Sequence, residues 1–286
     1  MIKINGDIIS SSSIANQYTP RSVERKIIDK MASSNRTYEY NSLNELKFEL
    51  SLRKNIVIAA RALNNSQFSF ETFRKSKCNT KYWNRTNEGG FLLKEGISPS
   101  VAIKDIFING SQYGTECATA IVIVYYKAIL ETFSPNIFDN LFTNIQLMNW
   151  NHIHKNLRLD YVYDDTDSLP GDCKYFKNPD VNPVTPEWQG ENAIDLGNGT
   201  YYGHGIGIKT SNEIIKELNR KRKPGATKTA FLLTLASRPD FKYLSRIYYS
   251  YVSRLQIERY RSAANYYRNF PYLPPYINRQ CIIPLF

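Results

Sequence analysis

Glu116-Cys117 stands directly before an apolar run, Ala118-Thr119-Ala120-Ile121-Val122-Ile123-Val124-Tyr125-Tyr126, which continues to Phe133. A cysteine at the mouth of a buried segment can become a nucleophilic thiolate. If the segment is a helix, its free N–H groups and positive end stabilise the sulfur anion. The same position also suits a cysteine that is simply a small buried hydrophobe. A nucleophile needs a base. The chain has 3 histidines, His152, His154 and His204. His152 and His154 alternate along a polar stretch and are expected to face solvent. His204 lies in Tyr201-Tyr202-Gly203-His204-Gly205-Ile206-Gly207-Ile208, whose glycines permit close approach of a backbone or a substrate. A hydrogen-bonded structural histidine fits there equally well. Glu191, in Trp188-Gln189-Gly190-Glu191-Asn192, leads into an apolar strand. Partial burial would raise its pKa toward neutrality and make it a competent proton acceptor. A charged strand start is the plainer alternative.

These residues need elements to hold them. Ser42 with Glu45 three positions on forms a capping box, and opens a helix to about Leu63. Pro99-Ser100 opens a shorter helix to Ile108. The run after Cys117 is rich in β-branched residues, which favour strands, but it is longer than the ~10 residues at which strands usually stop. It is therefore expected to be a buried helix. Residues 142–148, 158–163, 171–176, 192–196 and 200–208 read as strands separated by Pro- and Gly-bearing turns. Ser211 is expected to cap a helix through Leu218. Residues 10–20 read as a loop. From Arg238, Phe241, Leu244, Tyr248, Tyr251, Val252 and Leu255 have helical spacing, and the prolines at 271, 274 and 275 end any helix. The order of helices, then strands, then helices predicts an α+β class in which helices pack on an antiparallel sheet. A C-terminal helical arm and an extended tail follow.

The chain has 286 residues and a net charge of +11. That length can bury a core without disulfide or metal staples. No apolar run reaches the roughly 18 residues of a membrane span, so no membrane partner is expected. The start, Met1-Ile2-Lys3-Ile4-Asn5-Gly6, lacks the apolar core of a signal peptide, so the chain is expected to stay where it is made. The 4 cysteines, Cys78, Cys117, Cys173 and Cys281, form no CxxC pair, which argues against zinc; no metal or other cofactor is expected. Cys173 reads as core. Asp160, Asp164, Asp165, Asp167 and Asp172 lack the third ligand and closing glutamate of a calcium loop, and read as a solvated acidic loop. Arg220-Lys221-Arg222-Lys223 reads as a helix end complementing the dipole, not as a nucleic-acid site.

Four segments together resemble one family. They are Thr115-Glu116-Cys117-Ala118-Thr119-Ala120-Ile121-Val122-Ile123, Gly171-Asp172-Cys173-Lys174-Tyr175-Phe176-Lys177-Asn178-Pro179, Trp188-Gln189-Gly190-Glu191-Asn192 and His204-Gly205-Ile206-Gly207-Ile208. They resemble the spore-coat protein-glutamine γ-glutamyltransferases of Bacillus and relatives, from the N-terminus to about Ile247. The resemblance implies a compact papain-like fold and calcium-independent formation of glutamine–lysine isopeptide bonds through a cysteine thioester. It implies Cys117 as nucleophile, Glu191 as its partner in place of a histidine, and Glu116 as a carboxylate able to substitute in part. It implies that Phe70, Trp150, Trp188 and His204 line the substrate tunnel. The partners implied are coat proteins carrying reactive Gln and Lys; the place is the mother-cell cytoplasm, then the spore coat. Residues 1–247 would form the catalytic domain and 248–286 a Tyr- and Arg-rich extension. The sequence departs from the family pattern at Asn149, where the family carries Asp. Two rival readings stay open: a cysteine peptidase or amidase on the same fold, and a non-catalytic coat protein.

Overall fold

The computed structural model describes residues 1–163 and 167–269, with side chains up to 262. Contacts divide the chain into two units, Met1–Ser245 and Arg246–Phe286. Among the described residues, the first unit is built on six helices longer than one turn: α1 (Val23–Ser33), α2 (Leu43–Asn65), α3 (Pro99–Ile108), α4 (Cys117–Phe133), α5 (Pro135–Leu141) and α6 (Ser211–Asn219). A seventh helix, α7 (Phe241–Asn269), begins in the first unit and makes up the described part of the second. The proline-rich tail, Cys281, Asp164 and Asp165 lie outside the described residues.

The main sheet has six strands: β1 (Leu159–Tyr163), β2 (Cys173–Lys177), β3 (Gly190–Asp195), β4 (Thr200–Gly203), β5 (Gly207–Thr210) and β6 (Phe231–Pro239). Their order is β5-β4-β3-β2-β6-β1, and every neighbouring pair is antiparallel. Smaller ladders lie outside this sheet; one pairs Ser69–Phe70 in parallel with Gly114–Thr115.

Helix α4 is the core element. From Ala118 to Phe133 only Lys127, Glu131 and Thr132 escape full burial. A helix apolar nearly all round must be buried on every side. It packs along α2 and against β3. The Tyr125 hydroxyl donates to the Ser237 carbonyl of β6 at 3.2 Å, tying helix to sheet.

A second tie is ionic. Arg53 of α2 is fully buried. It donates through Nε to Glu49 at 2.8 Å and through Nη1 to Asp172 at 2.8 Å and the Pro170 carbonyl at 3.1 Å. Arg238 reaches Asp172 at 3.4 Å, and the Phe241 ring lies 4.4 Å from the Arg53 guanidinium. Asp172 is therefore not part of a solvated acidic loop. It is the buried anchor that fixes α2 to the start of β2.

Several elements differ from the sequence reading, each for a local reason. Residues 10–20 contain a one-turn helix, Ser11–Ala15, whose Ile14 and Ala15 enter the core. The expected strand at 142–148 shrinks to Gln146–Leu147, because Phe142 and Ile145 are buried from irregular backbone. The expected strand at 200–208 is a hairpin, turned where Gly205 and Gly207 take φ of 97° and 87°. Thr210, not Ser211, caps α6, in a full capping box with Glu213. Strand β6 was not expected at all. Its Phe231-Leu232-Leu233 start lacks the alternation that marks a half-buried strand.

Candidate active site

Cys117 is the first residue of α4, and Glu116 is its N-cap. The Glu116 carboxylate accepts from the Ala118 N–H at 2.5 Å and the Thr119 N–H at 2.7 Å, and from the Thr119 hydroxyl. The helix end therefore spends these donors on Glu116, not on sulfur. Burial pushes the Cys117 thiol well up, and the charges of Glu191 and Glu116 push it further. The sequence-based picture of a thiolate held by the helix end is replaced by a neutral thiol at rest. Cys117 as a whole stays partly exposed.

Glu191 is 1% exposed. Its Oε1 has no hydrogen-bond partner among the described residues. Burial, then the charge of Glu116, raises its pKa well above the usual carboxylate range; a bond from the His204 backbone N–H opposes this. Gly203 makes room for it: a Cβ there would lie 2.8 Å from Glu191 Cγ.

His204 sits in the β4–β5 turn and is 3% exposed. Its Nε2 lies 3.1 Å from the Ser69 carbonyl, which can only accept, so Nε2 carries the proton. Nδ1 then accepts from the Tyr202 hydroxyl at 3.0 Å. Both ring nitrogens are spent on structure, and burial lowers the pKa to about 4. The ring stacks on Phe68 at 4.8 Å and lies 6.1 Å from Phe70. His204 thus holds the hairpin turn on the Ser69–Phe70 strand, where its backbone N–H meets Glu191.

This burial has a measurable consequence. A histidine whose folded pKa lies below its unfolded value contributes stability above about pH 6.5, which is lost as pH falls toward 4. Across that window the loss is ~3 kcal/mol. Urea denaturation at pH 7 and pH 5 is expected to show a steeper loss in the natural chain than in His204→Gln. Equal losses in the two chains would contradict this.

His152 is exposed, as expected, but His154 is half-buried against Phe142, with ring centroids 5.4 Å apart. Phe70 and Trp188 form the rest of an aromatic group beside His204, their rings 5.2 Å apart. The Lys221 ammonium lies 4.8 Å from the Trp188 ring centroid, so that face already holds a lysine. The other basic residues of the run bond within the protein: Arg220 to Glu217 at 2.8 Å, Arg222 to the Asn219 carbonyl at 3.1 Å, and Lys223 to Asp180 at 3.9 Å.

Trp150 is placed differently. It lines a pocket of about 220 Å³ with Tyr161, Tyr175 and Asn192. Asn149 positions it. The Asn149 N–H donates to the Thr119 hydroxyl at 2.8 Å, which in turn donates to Glu116. Asn149 has φ of 39° and accepts from the Asn151 N–H at 2.7 Å, a left-handed turn that Asn and Asp both tolerate. The departure at 149 therefore preserves the turn.

The sequence does not single out Asn192. Its side-chain amide donates to Cys117 Sγ at 3.4 Å. It lies within the Trp188–Asn192 segment, but strand alternation points neighbours to opposite faces. That rule does not bring Glu191 and Asn192 to one sulfur.

A partly exposed thiol and a buried carboxyl whose charge acts on it are groups that acyl transfer can use. A model of the family described as protein-glutamine gamma-glutamyltransferase matches residues 1–248. The chain belongs to that family. It is 48% identical over 234 residues to the protein-glutamine gamma-glutamyltransferase of Bacillus cereus (strain B4264), covering 82% of this chain and 84% of the relative. It is 47% identical over 233 residues to the enzyme of Bacillus anthracis (strain CDC 684 / NRRL 3495), covering 81% and 84%. Among solved structures, a transglutaminase from Geobacillus stearothermophilus, without its C-terminal extension, superposes with a TM-score of 0.69 at 49% identity. It covers 72% of this chain and 98% of that one. Among the described residues of this transglutaminase-family chain, no helix is long and apolar enough to cross a membrane.

Proposed function

We propose that the chain is a calcium-independent enzyme that crosslinks spore-coat proteins through glutamine–lysine isopeptide bonds, with catalysis carried by residues 1–247. The observation that carries this reading is Glu191, a buried carboxyl with an unpartnered oxygen whose charge acts on Cys117, while His204 has both ring nitrogens occupied. A nucleophile at the first turn of a buried helix, packed against an antiparallel sheet that carries its proton acceptor, supports a papain-like plan. A role in the coat is consistent with relatives found in Bacillus species.

Glu191 accepts the thiol proton as Cys117 Sγ attacks the side-chain amide carbon of a protein glutamine. The proton passes to the leaving nitrogen, the C–N bond breaks and ammonia departs, leaving a thioester. A neutral lysine amine attacks the thioester carbon, its proton goes to Glu191, the C–S bond breaks, and Glu191 returns the proton to the sulfur. The raised pKa of Glu191 brings it closer to that of the thiol, so transfer between them is less uphill than for an ordinary carboxylate. Phe70 and Trp188, packed together beside His204, help to exclude water. Glu116 holds the helix end and stands as a reserve acceptor.

The test is incorporation of a labelled primary amine into a glutamine-bearing protein, with and without a calcium chelator. Attachment is expected in both conditions, and none with Cys117→Ala. Ammonia release without attachment would turn the case to an amidase, and attachment by Cys117→Ala would remove the nucleophile.

A further inference from the structure

An anion forms twice in this site, first on sulfur and then on the carbonyl oxygen of the tetrahedral intermediate. Both need donors in a place where burial penalises charge. The helix end has few to give, because Glu116 occupies the Ala118 and Thr119 N–H groups. At the start of α4 this leaves the N–H of Cys117 itself. The opposite wall supplies more. The β3–β4 ladder ends at the pair Ala193–Gly203, so no β4 residue pairs with Glu191 or Asn192. Freed there, the Asn192 backbone N–H and side-chain amide both face the sulfur. Asn192 also lines the pocket shared with Trp150 and Tyr175.

We propose that Asn192 is a catalytic residue, whose side-chain amide holds the Cys117 sulfur while it is anionic and then joins the Cys117 N–H in holding the oxyanion. As the C–S bond forms, the carbonyl π pair moves onto oxygen and the sulfur loses its charge. The Asn192 amide is released from sulfur at the moment the oxygen needs it. When the C–N bond breaks and ammonia leaves, the oxygen pair re-forms the carbonyl and the amide is released. The cycle repeats when lysine attacks the thioester. No further reactant is needed.

This rests on the thioester reading above, so the natural chain and Cys117→Ala are run alongside as its own control. Asn192→Ala removes the donor; Asn192→Asp keeps the shape but puts an acceptor where the donor was. Loss of one oxyanion donor costs roughly 10²–10³ in kcat. Both variants are expected to lose that much in amine incorporation, with KM for the glutamine donor within about threefold, and Asn192→Asp is expected to fall further. Alkylation of Cys117 by iodoacetamide, followed across pH by mass spectrometry of its peptide, is an independent readout. Its inflection is expected at higher pH in both variants. A kcat within about threefold of the natural chain in either variant would overturn the proposal. So would a loss of activity with an unmoved alkylation profile, which marks a purely structural residue. An active Cys117→Ala would instead overturn the thioester reading.

Discussion

Glu191→Gln is expected to lower kcat for amine incorporation by about 10²–10⁴, the range of a lost general base. The side chain keeps its size, so Gly203 and the hairpin turn still enclose it. What disappears is the proton acceptor. The pH profile carries the sign. The proposed base, Glu191, works in its ionised form, and burial has raised its pKa. Activity in the natural chain should therefore fall, as pH is lowered, through a limb that lies above the ordinary carboxylate range. In Glu191→Gln that limb should vanish from the residual rate. A residual rate is expected, because Glu116 is adjacent to Cys117. Freeing it from the helix cap costs ~0.5–2 kcal/mol, far less than the barrier it would lower. Adding Glu116→Gln to Glu191→Gln should remove the remainder. A single variant with undiminished kcat and an unchanged acid limb would place the base elsewhere.

Asp172→Asn should destabilise the fold by ~3–5 kcal/mol, the cost of leaving a buried charge without its partner. For a chain of this size that lowers the melting temperature by on the order of 10 °C. Arg53 would keep Glu49 but lose the partner that joins α2 to β2. Burial alone would push the Asp172 carboxyl up, but Arg53 and Arg238 hold it below the usual range. Its contribution is thus present above the unfolded pKa and is lost as pH falls through the lower folded value. The gap between natural chain and variant should be full at pH 7 and should close in strong acid. Urea unfolding at both pH values measures it, and a gap under about 1 kcal/mol at pH 7 would remove Asp172 as the anchor.

The helix Cys117–Phe133 was legible because its length outweighs its β-branched residues, and burial on all sides lets such residues pack in a helix. The burial of Glu191 was legible because a carboxylate leading into an apolar strand has no local explanation. Together with the family motifs, these determined the chemistry and the residues that could carry it. What the sequence left open was which donors and which histidine nitrogen are free, since that depends on contacts between distant segments. Cys117 and Asn192 are 75 residues apart. Ser69 and His204 are 135 apart, and their bond is what removes the histidine from the list of bases. Arg53 and Asp172 are 119 apart, and no local pattern marks Asp172 as buried. Glu116-Cys117 itself shows the division. The sequence places a carboxylate beside a thiol at a helix start; only the tertiary structure shows that carboxylate capping the helix, with the sulfur's donors arriving from β3.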